Sequence, residues 1–197
     1  MARAPAPGSA PSPRLPLGAA LNHPGSRGIR LNIGCGDKKG GPEWVNCDSW
    51  PGVGPDLCFD ATAPWPFGAR VAERIYLGQM IEHLAFPRGV RACLHEAARA
   101  LRTDGVCCLV TPDWQAMKEK RLPPDHFDHA ATGMRRWPGD EHRWRPDRWR
   151  VHTEVSRYFA TVLPVNVMNL PAEWPPGARD LWDCCVLAAD PTVGALS

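Results

Sequence analysis

No run of apolar residues in this 197-residue chain approaches the roughly 20 that a membrane-spanning helix needs. No membrane partner is therefore expected, and the expected compartment is the cytoplasm. Charge of one sign is also scarce: a formal net charge of +2 does not announce a polyanionic partner, and any basic patch has to be sought locally. The eight cysteines have no CxxC spacing and lie in apolar, strand-like runs. That pattern argues for reduced, buried thiols rather than a disulfide framework. Cys107-Cys108 and Cys184-Cys185 do not compose a four-thiolate metal site either, because neighbours on a strand point to opposite faces of a sheet. No acidic residue occurs from Met1 to Arg27, and Pro16 and Gly18 break the only apolar patch there. Residues 1–27 read as a flexible tail, with too many prolines for an amphipathic targeting helix. No internal repeat is present.

What is present suits one folded unit. The 44% apolar content supports a single core over residues 28–190, with residues 191–197 a second tail. Ile29-Arg30-Leu31-Asn32-Ile33 alternates and runs into Gly34-Cys35-Gly36, the pattern of a strand ending in a glycine turn. Further strands are expected at Trp44 to Asp48, Asp56 to Phe59, Arg74 to Leu77 and Val106 to Thr111. Between the last two, Val90, Cys93, Leu94, Ala97 and Leu101 share one face of a helix over Gly89 to Arg102, with Gly105 as its stop. A helix between two strands is a βαβ unit, which implies a parallel sheet. The Pro- and Trp-rich stretch from Asp113 to about Arg150 reads as an insert of loops or short helices. A helix over His152 to Leu163 and strands at Val165 to Leu170 and Leu181 to Ala188 complete the pattern. The expected fold is α/β: a doubly wound, mostly parallel sheet of roughly seven strands with a terminal antiparallel hairpin. Too few residues separate Gly36 from Trp44 for a standard crossover of roughly a dozen or more, so the first crossover helix is expected to be shortened or absent.

The chemistry is concentrated at three strand ends in succession: Leu31 to Gly36, Trp44 to Asp48, and Asp56 to Asp60. Ligands of open parallel sheets bind beyond the carboxyl ends of the strands, so these ends converge on one crevice. Glycines admit a ligand close to the backbone. A carboxylate after the second strand can accept two ribose hydroxyls, and one after the third can accept from an adenine amino group. The composite is an adenosine site. A dinucleotide site would require a third glycine entering a helix, and Gly34-Cys35-Gly36-Asp37-Lys38-Lys39 has neither.

These residues, followed by Gln79-Met80-Ile81-Glu82-His83-Leu84 and Ala97 to Val106, resemble the compact subgroup of class I (Rossmann-like) S-adenosylmethionine-dependent methyltransferases. The resemblance covers Ile29 to Asp113 and, more loosely, the terminal strands to Asp190. It implies that Gly34 and Gly36, with Cys35 between them, border the methionine part of S-adenosylmethionine. It further implies that Asp48 holds the ribose, that Asp60 and Ala61 face the adenine, and that Gln79 lies beside the sulfonium. Lys38 or Lys39 is expected to replace the missing helix dipole at the cofactor's carboxylate.

Methyl transfer asks a protein mainly to align the acceptor and, for a hydroxyl, to remove a proton. A histidine suits that removal, and His83 stands just past the fourth strand; the competing reading is that it bonds backbone carbonyls. Glu82 either orients that imidazole or faces solvent. In the resemblance, His142-Arg143-Trp144 lines the acceptor side, which makes His142 a second candidate catalytic residue and the insert a lid. Asp125 to His129 and Gly139 to Trp144 carry potential metal ligands, but nothing in their spacing imposes a geometry, and no metal is expected. Arginines 135, 136, 143, 145, 148 and 150 interleave with Trp137, Trp144 and Trp149. Packing of the tryptophans and pairing of the arginines with Asp140, Glu141 and Asp147 is preferred over a nucleic-acid surface. The leading expectation is therefore methylation of a small-molecule, sugar-like acceptor at oxygen or nitrogen. The rivals are a nucleic-acid methyltransferase, against which the absence of an NPPY or DPPY tetrapeptide counts, and a non-catalytic cofactor-binding or scaffold protein. The sequence carries no signal for oligomeric state.

Overall fold

The computed structural model describes residues 28–119, 141–175 and 183–192. Alternating residues form β1 (Ile29–Ile33), β2 (Trp44–Asp48) and the short β3 (Leu57–Cys58), followed by β4 (Ala72–Gly78). Helix α1 (Arg88–Ala100) leads into β5 (Leu101–Pro112), and α2 (Trp114–Glu119), α3 (Arg148–Val155), β6 (Phe159–Val165) and β7 (Asp183–Pro191) complete the order. The strands make one seven-stranded sheet in the order β3-β2-β1-β4-β5-β7-β6. Pairs from β3 to β5 are parallel, and β7 runs antiparallel to both β5 and β6. The chain passes from β1 outward to β3 and then returns to place β4 on the other side of β1, so the topological switch point lies between β1 and β4.

The first crossover contains no helix. Two buried asparagines organise it instead. Asn46 Oδ1 accepts from Gly40 N at 2.7 Å and from Asn32 Nδ2 at 3.0 Å, while Asn32 Nδ2 also donates to Lys38 O at 3.0 Å. Backbone polar groups buried without partners would be costly, and these side chains supply partners that a helix would otherwise make internally. Asn46 N donates in turn to Asp56 Oδ2 at 2.8 Å, which ties β2 to the start of β3.

The sheet has apolar layers on both faces. The larger contains Val90, Cys93, Leu94 and Ala97 of α1 with Val151 and Val155 of α3, packed on Leu31, Ile33, Ile75, Leu77 and Leu109. The other contains Trp44, Tyr76, Val110 and Trp174. Cys107 and Cys184 belong to the first layer, Cys108 and Cys185 to the second, as the strand period requires. All eight cysteines are free thiols, and all but Cys58 are buried. No described helix is long and apolar enough to cross a membrane.

Several expected boundaries are corrected. The helix expected over His152 to Leu163 is split: α3 begins at Arg148, where Asp147 Oδ1 accepts from Trp149 N and Arg150 N at 3.0 and 2.9 Å, and ends at Val155. The following segment alternates onto β7 as β6. The strand expected over Val165 to Leu170 is instead the end of β6 and a one-turn 3-10 helix, Val167–Asn169, with Asn166 Oδ1 accepting from Met168 N at 3.0 Å. Helix α1 ends at Ala100, so Gly105 is no helix stop; it lies in β5, where a Cβ would stand 3.0 Å from Ala72 O. The expected tail at 191 also begins too early, because β7 includes Pro191 and Thr192 N donates to Tyr158 O at 2.9 Å. Within the expected insert, α2 and α3 flank residues 120–140, so Asp125 to His129, Arg135, Arg136, Trp137, Gly139 and Asp140 lie outside the described residues.

A charged staple holds the loop after β3 on α1. Glu96 Oε2 accepts from Trp65 N at 2.7 Å and from Arg99 Nη2 at 2.6 Å, and Arg99 Nη1 donates to Phe67 O at 2.9 Å. Burial alone would raise the Glu96 carboxyl, but the Arg99 and Trp65 hydrogen bonds outweigh it and hold the group below its usual range. A carboxyl depressed in the folded state contributes stability that is full above its unfolded value of about 4.3 and is lost as pH falls through the folded value. Glu96→Gln is therefore expected to cost about 1–3 kcal/mol at neutral pH and to lose less further stability than the native chain on acidification below pH 4. Urea unfolding at pH 7, 4 and 3 checks both; equal acid sensitivity of the two proteins would refute the assignment.

Candidate active site

The cleft opens at the carboxyl ends of β1, β2 and β4, with a volume of about 190 Å³. Gly34 and Gly36 line it immediately beyond β1, at φ of 68° and 49°. At Gly34 a side chain is excluded on two counts: the left-handed backbone, and a Cβ that would stand 2.6 Å from Met80 Cβ. Asp48, at the end of β2, accepts from Gly36 N through Oδ2 at 2.8 Å and from Trp50 N through Oδ1 at 2.9 Å. These bonds fix the carboxylate plane and join the glycine turn to β2. Asp60 and Ala61 form the third side, and Asp60 Oδ1 accepts from Thr62 N and Thr62 Oγ1, both at 2.8 Å. Gln79, at φ of 52° just past β4, completes the ring around the switch point. Its side-chain Nε2 is buried and meets no hydrogen-bond acceptor among the described residues. A buried amide without a partner is costly, and a polar ligand in the cleft would relieve it.

Seven of the nine sequence-selected residues thus line one cleft: Gly34, Gly36, Asp48, Asp60, Ala61, Gln79 and His83. Cys35 does not. It is buried, with Sγ 3.5 Å from Gly36 O, and burial, then the Asp48 charge, pushes its thiol up to about 12. His142 is not a lining residue either, but its ring lies edge-on to that of His83, with centroids 4.9 Å apart. Neither Lys38 nor Lys39 lines the cleft; both are exposed, and Lys39 Nζ donates to Gly54 O at 2.5 Å.

The His83 end of the cleft is built on the 3-10 turn Ile81–His83. Glu82, read from sequence as an orienting group or a solvent-facing one, is 1% exposed, and its Oε2 accepts from Thr111 Oγ1 at 3.0 Å. Its backbone carbonyl accepts from both Arg143 N and Trp144 N, at 2.8 and 2.9 Å. Trp144 is buried and stacks on Phe86 at 5.0 Å. Backbone bonds and ring packing together press residues 142–144 onto the turn and bring Arg143 into the cleft wall. Sequence reasoning missed Ser49, Phe59, Met80 and Leu84 as lining residues; each adjoins or lies close to a selected position, but side-chain direction outside regular strands has no readable period.

The fold and cleft define an α/β protein with a glycine-floored site, lined by both polar and apolar side chains, at the switch point of its sheet. No protein-family model and no curated protein sequence matches the chain. Among solved structures it is similar to the PH0226 protein from Pyrococcus horikoshii OT3, at 12% identity and TM-score 0.52 over 84% of this chain and 82% of that one. It is also similar to the CurJ carbon methyltransferase, at 14% identity and TM-score 0.55 over 88% and 51% of the two chains. The citrinin polyketide synthase CMeT domain gives 13% identity and TM-score 0.54 over 88% and 49%. The chain spans about half the length of the latter two proteins. At these identities the likeness shows the fold alone, a Rossmann-like α/β fold shared with these solved structures.

Proposed function

We propose that the protein binds S-adenosylmethionine in this cleft and transfers its methyl group to an oxygen or nitrogen of a small, sugar-like acceptor. The observation that carries the reading is the meeting of Gly34, Asp48, Asp60 and Gln79 around one opening. Gly34 and Gly36 give the methionine part close access to backbone, Asp48 accepts from the ribose hydroxyls, Asp60 and Ala61 bound the adenine, and Gln79 Nε2 finds its acceptor on the ligand. The bound cofactor supplies an activated methyl electrophile; the protein's task is alignment and proton management. His83 lines the cleft with His142 against it, and these two imidazoles promote loss of the acceptor's proton. Arg143 closes the same end and offers a guanidinium to an acceptor's oxygen atoms.

A small acceptor is favoured over nucleic acid by how the arginine and tryptophan segment is used. Arg148 Nε pairs with Asp113 at 2.8 Å, Arg150 with Asp147 at 3.6 Å, and Arg145 lies over the Trp114 ring at 4.7 Å. Trp144 is buried; Trp149 is exposed. Most of the described arginines here thus have local partners, Arg150 with the Asp147 that the sequence reading named and Arg148 with Asp113, which it did not.

Titration calorimetry of the full-length protein with S-adenosylmethionine and S-adenosylhomocysteine tests the reading. One site per chain is expected for each ligand. Absence of heat and of any thermal shift with both would overturn it.

A further inference from the structure

We infer that Glu82, His83 and His142 form a binding site for a divalent transition-metal ion at the acceptor end of the cleft. The sequence reading expected no metal because the spacing of its histidines and carboxylates imposes no geometry; the tertiary structure supplies that geometry. One carboxylate oxygen of Glu82 and one ring nitrogen from each histidine all lie within 4.8 Å of one another. Four-coordinate zinc with bonds of about 2.0–2.1 Å holds its ligands roughly 3.4 Å apart, so small side-chain rotations close the set. Two imidazoles and a carboxylate are a known donor combination for zinc with an open fourth position.

Three further features suit a metal centre. The ligands' backbones are preorganised, since Glu82 O accepts from both Arg143 N and Trp144 N and so holds His142 beside the turn that carries the other two. The groups behind the ligands are also in place. His83 Nδ1 lies 3.3 Å from Glu141 O; with Nδ1–H donating to that carbonyl, Nε2 is left to bind a cation, the usual arrangement of metal-bound histidine. Thr111 Oγ1 donates to Glu82 Oε2 at 3.0 Å and orients the carboxylate. Finally, Glu82 is 1% exposed, so its attraction for a bound cation is little screened by water; a protonated imidazole is the competing partner.

The consequence for chemistry rests on the proposed methyl transfer. His83 lines the cleft, so an open coordination position faces the acceptor. A hydroxyl bound there acidifies and releases its proton to solvent. Its oxygen pair then forms the bond to the methyl carbon, and the carbon–sulfur pair returns to sulfur.

The test uses the full-length protein, stripped by chelation and titrated with Co²⁺ alone. The expected result is saturable uptake of one equivalent, with visible ligand-field absorption bands that Zn²⁺ abolishes by competition. His142→Ala and His83→Ala are expected to lose this signal, and Thr111→Val to weaken uptake about 10- to 100-fold. His152→Ala, an exposed histidine on α3, is expected to bind as the native chain does. Circular dichroism on each variant separates lost ligation from lost folding. No saturable Co²⁺ uptake by the native protein below millimolar concentration, or uptake unchanged in a folded His142→Ala protein, overturns the proposal in favour of a protonated His–Glu cluster. Because S-adenosylhomocysteine binding is measured without metal, failure of the metal site and failure of the cofactor reading give different results.

Discussion

Asp48→Asn is expected to weaken S-adenosylhomocysteine binding by about 100-fold, the equivalent of roughly 2.7 kcal/mol for hydrogen bonds to a charged acceptor. The reasoning is local. Both oxygens of Asp48 already accept backbone N–H groups, from Gly36 and Trp50, and the residue lines the cleft, where each oxygen retains acceptor capacity. An amide in the same place presents an NH₂ either to a backbone N–H or to a ribose hydroxyl that must then reverse its role. Donor meets donor in the first case, and charge assistance is lost in both. Calorimetry gives the affinity, and thermal unfolding shows whether the glycine turn has survived. An unchanged dissociation constant in a folded Asp48→Asn protein would mean that the ribose binds elsewhere.

His83→Ala is expected to lower kcat by about 10²- to 10⁴-fold, the usual worth of assisted proton removal, and to leave S-adenosylhomocysteine affinity within a few-fold of the native value. The separation follows from the proposed roles: Gly34, Asp48 and Gln79 of the cleft lining would hold the cofactor, whereas His83 lies beside His142. Transfer of labelled methyl groups to whichever small hydroxylated or amino acceptor a screen identifies provides kcat, and calorimetry provides the affinity. A variant with native turnover would assign His83 a structural role through its contact with Glu141 O, the competing reading drawn from sequence.

The two predictions draw on different kinds of legibility. Asp48 was readable because its position is local: a strand of alternating residues ends on it, and in a parallel sheet the end of a strand is where ligands lie. Gly34 was readable for the same reason, as a glycine where the chain turns out of β1. Gln79 and His83 were placed through the resemblance, since neither has a periodicity that marks it. For Glu82 the sequence allows two roles, and it is the core that buries it, with Thr111 Oγ1 donating to its carboxylate. The mistaken helix over His152 to Leu163 has a comparable origin. Val155, Phe159 and Val162 stand at helical spacing, and the strand from Phe159 depended on β7 offering a free edge at Asp183–Pro191.

By itself the sequence determined the period of each strand through β5, the apolar face of α1, the glycine turn after Ile33 and the carboxylates that close β2 and the loop after β3. These are properties of adjacent residues and need only backbone geometry. The tertiary structure alone decided that the chain returns from β3 to β4 on the far side of β1, that β7 inserts between β5 and β6, and that His142 is pressed against His83 through the carbonyl of Glu82. Such contacts join segments distant in the chain. Their formation depends on the whole sheet closing and burying its faces at once, and no local pattern records that.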